Sequence, residues 1–249
     1  MLSRLFQSPE DRTGVRRATL TGLVIALLAG TTGAFALTEA LKLERRPLTV
    51  VRLDRVFSPT CGCPRSIARL AFKLRDADTV DAVIVDGEGK PVRALLVGAA
   101  RAAGVMRLVW DGTDDQGTLA PDGSYRLQIR MHEGDRTIEF GRTIRIDTAP
   151  PEVAVAAVRP RLLSLSGAQG NQAITVTYWL TESSLPILLV DGTAAVRGTL
   201  SARGRQALEW GGEFRGRRLR LGRHVLALRV RDRVGNVVTT RPLVIRVVR

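Results

Sequence analysis

Aromatic residues make up only 4% of this 249-residue chain, and cysteine and histidine occur twice each. The first shortage leaves Val, Leu and Ile to fill most of any core. The second removes most routes to chemistry. His132 and His224 lie far apart, and neither has a Gly-x-Ser-x-Gly or Cys partner from which a nucleophile, base and orienting acid could be assembled. Two cysteines with no nearby His or third Cys supply at most half of a soft-metal site. The expectation is a protein that is not an enzyme, with no catalytic residue, no metal and no cofactor. Lysine is scarce too. Lys42, Lys73 and Lys90 are its sole occurrences, an Arg bias that points to coding composition rather than to selection for bidentate phosphate contacts.

What the chain does have is positive charge, unevenly spread. Of the net +14, residues 1–46 carry +3, residues 47–150 carry +1 and residues 151–249 carry +10. Such a field attracts anionic polymers. One segment speaks to compartment. Residues 18–38 contain no charge, and as a helix they would extend about 31 Å, near the thickness of one hydrocarbon core. Arg4, Arg12, Arg16 and Arg17 precede them, which puts the N-terminus in the cytoplasm; Lys42, Arg45 and Arg46 follow and weaken that asymmetry. A cleaved signal peptide with Ala34-Phe35-Ala36 as its cleavage site is the competing reading. The apolar run continues past Ala36, and the polar lead is long for a signal, so a retained anchor is favoured. That gives a cytoplasmic tail over 1–17, a transmembrane helix over 18–41 and an exported remainder at the cell membrane.

Beyond the anchor the texture becomes short alternating runs broken by Gly, Pro and Asp, which predicts antiparallel strands. Candidate strands cover 49–56, 67–74, 80–86, 92–96, 106–110, 124–131 and 136–146, then 152–158, 173–180, 186–190, 195–200, 206–210, 224–231 and 237–248. Pro150-Pro151 cannot donate to a ladder and marks the boundary between them. The two sets share a plan: a strand ending in Trp110 or Trp210, a Gly-rich reversal, a further Gly, then a new alternating strand. Asp86-Gly87 and Asp191-Gly192 occupy matching turns. The predicted class is all-β: two tandem immunoglobulin-like β-sandwiches, 47–148 and 151–249, preceded by one transmembrane helix.

Phe57-Ser58-Pro59, the run from Val85 to Leu95, and Trp110-Asp111-Gly112 with Gly117 and Pro121-Asp122-Gly123-Ser124-Tyr125 resemble the immunoglobulin-like domain of the FlgD-type (flagellar hook-capping) family. The resemblance spans roughly residues 50–147. Residues 151–248 read as a degenerate copy that keeps Trp210, Gly216, Gly222 and the ending Asp232-Arg233-Val234-Gly235-Asn236, but lacks Asp-Gly after Trp. The resemblance implies a spacer or interaction module. A flagellar cap role does not carry over with it, because those proteins are not expected to carry an anchor. Where the family has a polar Asn-Gly-Asp-Gly turn, this chain reads Thr60-Cys61-Gly62-Cys63-Pro64.

Cys61 and Cys63 therefore form the disulfide candidate, with a local structural role, an intermolecular or exchange role, and half a metal site all open. Arg215, Arg217, Arg218, Arg220 and Arg223 are the candidate for binding an anionic partner, set against an ordinary solvated loop. Asp111 is expected to accept turn N–H groups while Asp114 and Asp115 are solvated; Trp110 and Trp210 are expected to pack in the cores. The function expected is that of a single-pass, membrane-anchored extracytoplasmic protein with a structural, adhesive or binding role at the bacterial envelope. Its partners would be the membrane, an anionic envelope polymer or a protein, with no nucleic acid. Alternatives are an accessory subunit of an envelope or secretion complex, and a redox-active protein working through Cys61 and Cys63.

Overall fold

The computed structural model describes residues 11–42, 47–166, 173–214 and 216–249, by backbone alone at residues 11–20, 37–42, 214 and 217. The chain divides into two compact units, Met1–Pro47 and Leu48–Arg249.

Besides Pro47, the described residues of the first unit form α1, Asp11–Lys42. An acidic residue stands at its start, and no proline interrupts residues 11–46. Residues 11–17, expected in a polar tail, are thus helical, while residues 1–10 lie outside the described residues. Leu23, Ile25, Leu27 and Phe35 are exposed, and the Thr31 and Thr32 hydroxyls donate back to the Leu28 carbonyl at 2.9 and 2.7 Å. Among the described residues no helix is long and apolar enough to cross a membrane. The transmembrane span expected over 18–41 is therefore not among the structure's findings.

The second unit is built from strands. Its N-terminal half has β1 (Leu48–Leu53), β2 (Val56–Phe57), β3 (Ala68–Leu74), β4 (Asp78–Val85), β5 (Pro91–Arg101), β6 (Gly104–Trp110), β7 (Gly123–Met131) and β8 (Arg136–Ile146). They form a three-stranded sheet, β1-β3-β6, and a five-stranded sheet, β2-β8-β7-β4-β5. Alternation does the sorting. Leu70 and Phe72 from one sheet meet Val80, Ile84, Ile129 and Ile144 from the other in one buried cluster. The strand expected over 49–56 is broken. A bulge between Val50 and Arg52 shifts its register, and Asp54 then exchanges hydrogen bonds with the Arg69 backbone. The chain leaves the first sheet there, and β2 pairs in parallel with β8 in the second.

The C-terminal half has β9 (Val153–Arg159), β10 (Leu162–Ser164), β11 (Ile174–Leu180), β12 (Ser184–Val190), β13 (Thr193–Arg197), β14 (Gly204–Trp210), β15 (Glu213–Phe214), β16 (Arg217–Arg218), β17 (Gly222–Asp232), β18 (Val237–Thr239) and β19 (Leu243–Val248). The sheet β14-β11-β9 faces the sheet β10-β19-β17-β12-β13 across a separate cluster that includes Leu163, Val176, Tyr178, Leu188 and Leu228. The strand expected over 237–248 splits into β18 and β19 around Pro242, which cannot donate to a ladder. Strand β10 was not predicted; like β2, it adds in parallel to the last strand of its half.

Candidate functional site

The Trp-terminated strands end in the same device. After Trp110, Gly112 takes φ +84°, and the indole N–H donates to the Thr113 carbonyl at 2.9 Å. After Trp210, Gly212 takes φ +80°, and the indole donates to the Glu213 carbonyl at 2.7 Å. Both glycines are also sterically required: a Cβ at Gly112 would overlap the Pro59 ring, and one at Gly212 would lie 2.6 Å from Leu163. Trp110 and Trp210 are buried, as core packing requires. All three aspartates of the first reversal accept backbone N–H groups: Asp111 from Thr113, Asp114 from Gln116 and Thr118, and Asp115 from Ala94. The expectation that Asp114 and Asp115 are merely solvated is corrected: an N–H two residues on, or on a neighbouring strand, is within reach of a short carboxylate.

The two halves meet where the Cys61–Cys63 loop faces the turn between β17 and β18. Cys61 and Cys63 are joined by a disulfide, with Cα atoms 5.2 Å apart. The loop around it is closed by backbone bonds from Ser58 to Arg65, Cys61 to Ser58 and Ser66 to Cys63. Gly235, at φ +118°, lies against the disulfide so closely that a Cβ there would come within 2.5 Å of Cys63 Sγ. Cys63 Sγ also lies 3.5 Å from the Val234 carbonyl, a van der Waals contact because the bonded sulfur carries no hydrogen. Arg65 donates to the Arg233 carbonyl at 2.6 Å.

Asn236 is the centre of this junction. It is 4% exposed. Its Oδ1 accepts from the Ser58 hydroxyl at 2.5 Å. Its Nδ2 lies 2.9 Å from the Asp147 carbonyl, 3.0 Å from the Ala149 carbonyl and 2.9 Å from Asp232 Oδ2. Two hydrogens serve three acceptors, so one bond is shared. Asp232, itself buried, accepts through Oδ1 from the backbone N–H groups of Val234, Gly235 and Asn236. One side chain thus ties together the first half, the connecting segment and the second half. Glu182 stands at the edge of the same region. Burial, Asp232 and Asp147 push its carboxyl above the usual range, against the opposing pull of Arg145.

The predicted anion-binding cluster is only partly seen. Arg215 lies outside the described residues. Arg217 and Arg218 form β16, paired with β15 in a short hairpin. Arg218 donates to the Leu165 carbonyl at 2.7 Å, so it is partly committed to holding that hairpin. Arg220 and Arg223 are exposed. Beside them, His224 is held by Asp191 at 2.7 Å and by the Arg220 carbonyl at 2.9 Å. Burial disfavours the imidazolium, but those hydrogen bonds and the Asp191 charge outweigh it and hold the ring above its ordinary pKa. Asp191 is correspondingly held low: burial opposes this, but the bonds from His224 and the Val225 N–H prevail. His132 likewise meets an aspartate, Asp81, at 2.8 Å. Neither contact was predicted, since each joins residues far apart in sequence. Among the described residues no group of three or more His, Cys, Asp or Glu could hold a metal.

Residues 67–135 match the FlgD Ig-like domain, so this stretch is similar to an immunoglobulin-like module of that type. The chain is 45% identical over 58 residues to the basal-body rod modification protein FlgD of Salmonella typhimurium, a match covering 23% of this chain and 25% of that protein. The chain thus spans about a quarter of that relative's length. Among solved structures, FlgD from P. aeruginosa is similar at 18% identity, over 55% of this chain and 79% of that one, with a TM-score of 0.28. The fibronectin(III)-like modules of Clostridium thermocellum CbhA are similar at 15% identity, over 80% and 92%, with a TM-score of 0.39.

Proposed function

We propose that this protein is a scaffold: two tandem sandwiches held as one stiff spacer and displayed from the bacterial cell envelope by α1. The observation that carries the proposal is the junction at Asn236, where a buried side chain bonds Ser58 and both flanking carbonyls of the connecting segment. Leaving one such buried polar group unpaired costs about 1–3 kcal/mol, so bending here is opposed. The Salmonella relative is by name a modifier of the basal-body rod; what is taken from it is the role of a non-enzymatic module in an assembly. The matching Trp devices support a duplication. The Cys61–Cys63 disulfide supports an oxidising, extracytoplasmic compartment. The charge-free run 18–38 supports an anchor, and the exposed Arg220 and Arg223 support an anionic envelope partner for the C-terminal sandwich.

Fractionation tests this reading. The full-length protein should remain with membranes through an alkaline wash, and external protease should cut it after residue 47. Its two cysteines should resist alkylation in cells until a reductant is added. Release by the wash, protection from protease or free thiols in cells would overturn it.

A further inference from the structure

Four arginines converge on one cleft that the scaffold reading leaves unused. The cleft, about 390 Å³, lies beside β1, β2 and the disulfide loop, and Arg52, Arg55, Arg65 and Arg69 line it with Asp54 as the sole acid. That volume is within the ~300–1,000 Å³ typical of ligand sites. Asp54 is already committed: it takes a charge-assisted bond from Arg52 Nε at 3.0 Å and another from the Arg69 N–H at 3.0 Å. Its charge offsets one guanidinium and leaves the wall strongly positive.

Two of the cations are also held in place. Arg65 uses one terminal nitrogen on the Arg233 carbonyl at 2.6 Å, and Arg69 uses one on the Pro64 carbonyl at 3.2 Å. A planar guanidinium fixed at one corner still presents donors in a fork that matches oxyanion geometry. Arg55 makes no side-chain hydrogen bond or ion pair among the described residues. Ile67 adds an apolar wall, which lowers the local dielectric and strengthens attraction for a negative charge.

We propose that this cleft binds a phosphate ester or phosphodiester, through Arg55 with Arg52, Arg65 and Arg69. The site is distinct from the Arg215–Arg223 cluster, and it stands whether or not α1 spans a membrane. The same phosphate chemistry could come from a lipid headgroup or from a soluble phosphate polymer.

Titration of the full-length protein in neutral detergent tests the site. Pyrophosphate stands for free phosphate, and glycerophosphoglycerol for a headgroup. At near-physiological salt at least one probe should bind saturably. Arg55→Gln, which removes no structural bond, should weaken that binding roughly tenfold, the scale of a lost charge-assisted pair. Arg203→Gln, at an exposed arginine outside both clusters, should leave it unchanged. The tighter-binding probe identifies the source. The proposal fails if neither probe saturates, if Arg55→Gln has no effect, or if Arg203→Gln weakens binding as much, since the attraction would then be diffuse.

Discussion

The Trp110 end and the Trp210 end share a backbone and differ in what fills it. At the first, Phe57 and Tyr125 flank the indole, with ring centroids 5.4 and 5.0 Å away, and the Tyr125 hydroxyl donates to the Pro121 carbonyl at 2.6 Å. At the second, Leu163 stands where Phe57 does, and His224 replaces Tyr125 on the equivalent strand. The positive-φ glycine and the indole hydrogen bond therefore define the end of the sandwich, and its filling can change. A second contrast concerns partners. Ser58, following β2, donates to Asn236 of the other sandwich. Ser164, in the equivalent β10, donates to the Arg249 carbonyl of its own sandwich at 3.0 Å. The same position serves as a coupling point in one half and as an end in the other.

The largest expected effect tests the filling. Trp110→Ala and Trp210→Ala should each cost about 3–5 kcal/mol, and the first should cost more, because its ring pairs add about 0.5–1.5 kcal/mol each. Denaturant unfolding of the two variants checks this; equal losses would mean that the aromatic filling contributes nothing beyond volume. Next comes the coupling point. Gly235→Val places a branched side chain at φ +118° against the disulfide, a strain of about 1–3 kcal/mol. It should separate the unfolding of the two sandwiches in calorimetry. Gly62→Ala, also at positive φ but in open space, should lower stability without separating them.

Smaller effects come from titration. Glu182 has a raised carboxyl pKa, so its contribution is favourable in acid and is lost as pH rises through the folded value. Glu182→Gln should therefore stabilise the protein at neutral pH, by less than about 1 kcal/mol because the group is exposed and screened, and the gain should vanish in acid. His224 gives the smallest effect and separates the two ends. Its raised pKa contributes stability below the ordinary imidazole range that disappears as pH rises through the folded value. Hydrogen-exchange protection, taken relative to the intrinsic exchange rate at each pH, should fall near β17 across that window, while protection near Tyr125 on β7 should not. Equal loss of protection at both sites would remove the distinction.

Much of the architecture was legible because it is local. Alternation located most strands, and Trp followed by a glycine-bearing turn located both sandwich ends. Pro242 could have signalled the break between β18 and β19. The departure of β2 from its sheet could not be read, because it depends on Asp54 meeting the Arg69 backbone across a register bulge. The junction was least legible. Cys61-Gly62-Cys63 and Asp232-Arg233-Val234-Gly235-Asn236 were each conspicuous, but they lie some 170 residues apart in sequence. No periodicity connects a disulfide to the glycine that makes room for it. The arginine cleft was hidden for the same reason: its cations come from β1, the loops on either side of β2, and β3, scattered in sequence among other arginines.

The central claim is that the two sandwiches are locked at Asn236, and the distance between them tests it most directly. Spin labels attached without cysteine chemistry at Glu133 and Ala194, both exposed, report that distance by pulsed electron–electron resonance. The expected result is a single narrow distribution in the native protein that broadens in Asn236→Ala with each sandwich still folded. A broad distribution in the native protein, or one that Asn236→Ala leaves unchanged, would contradict the account.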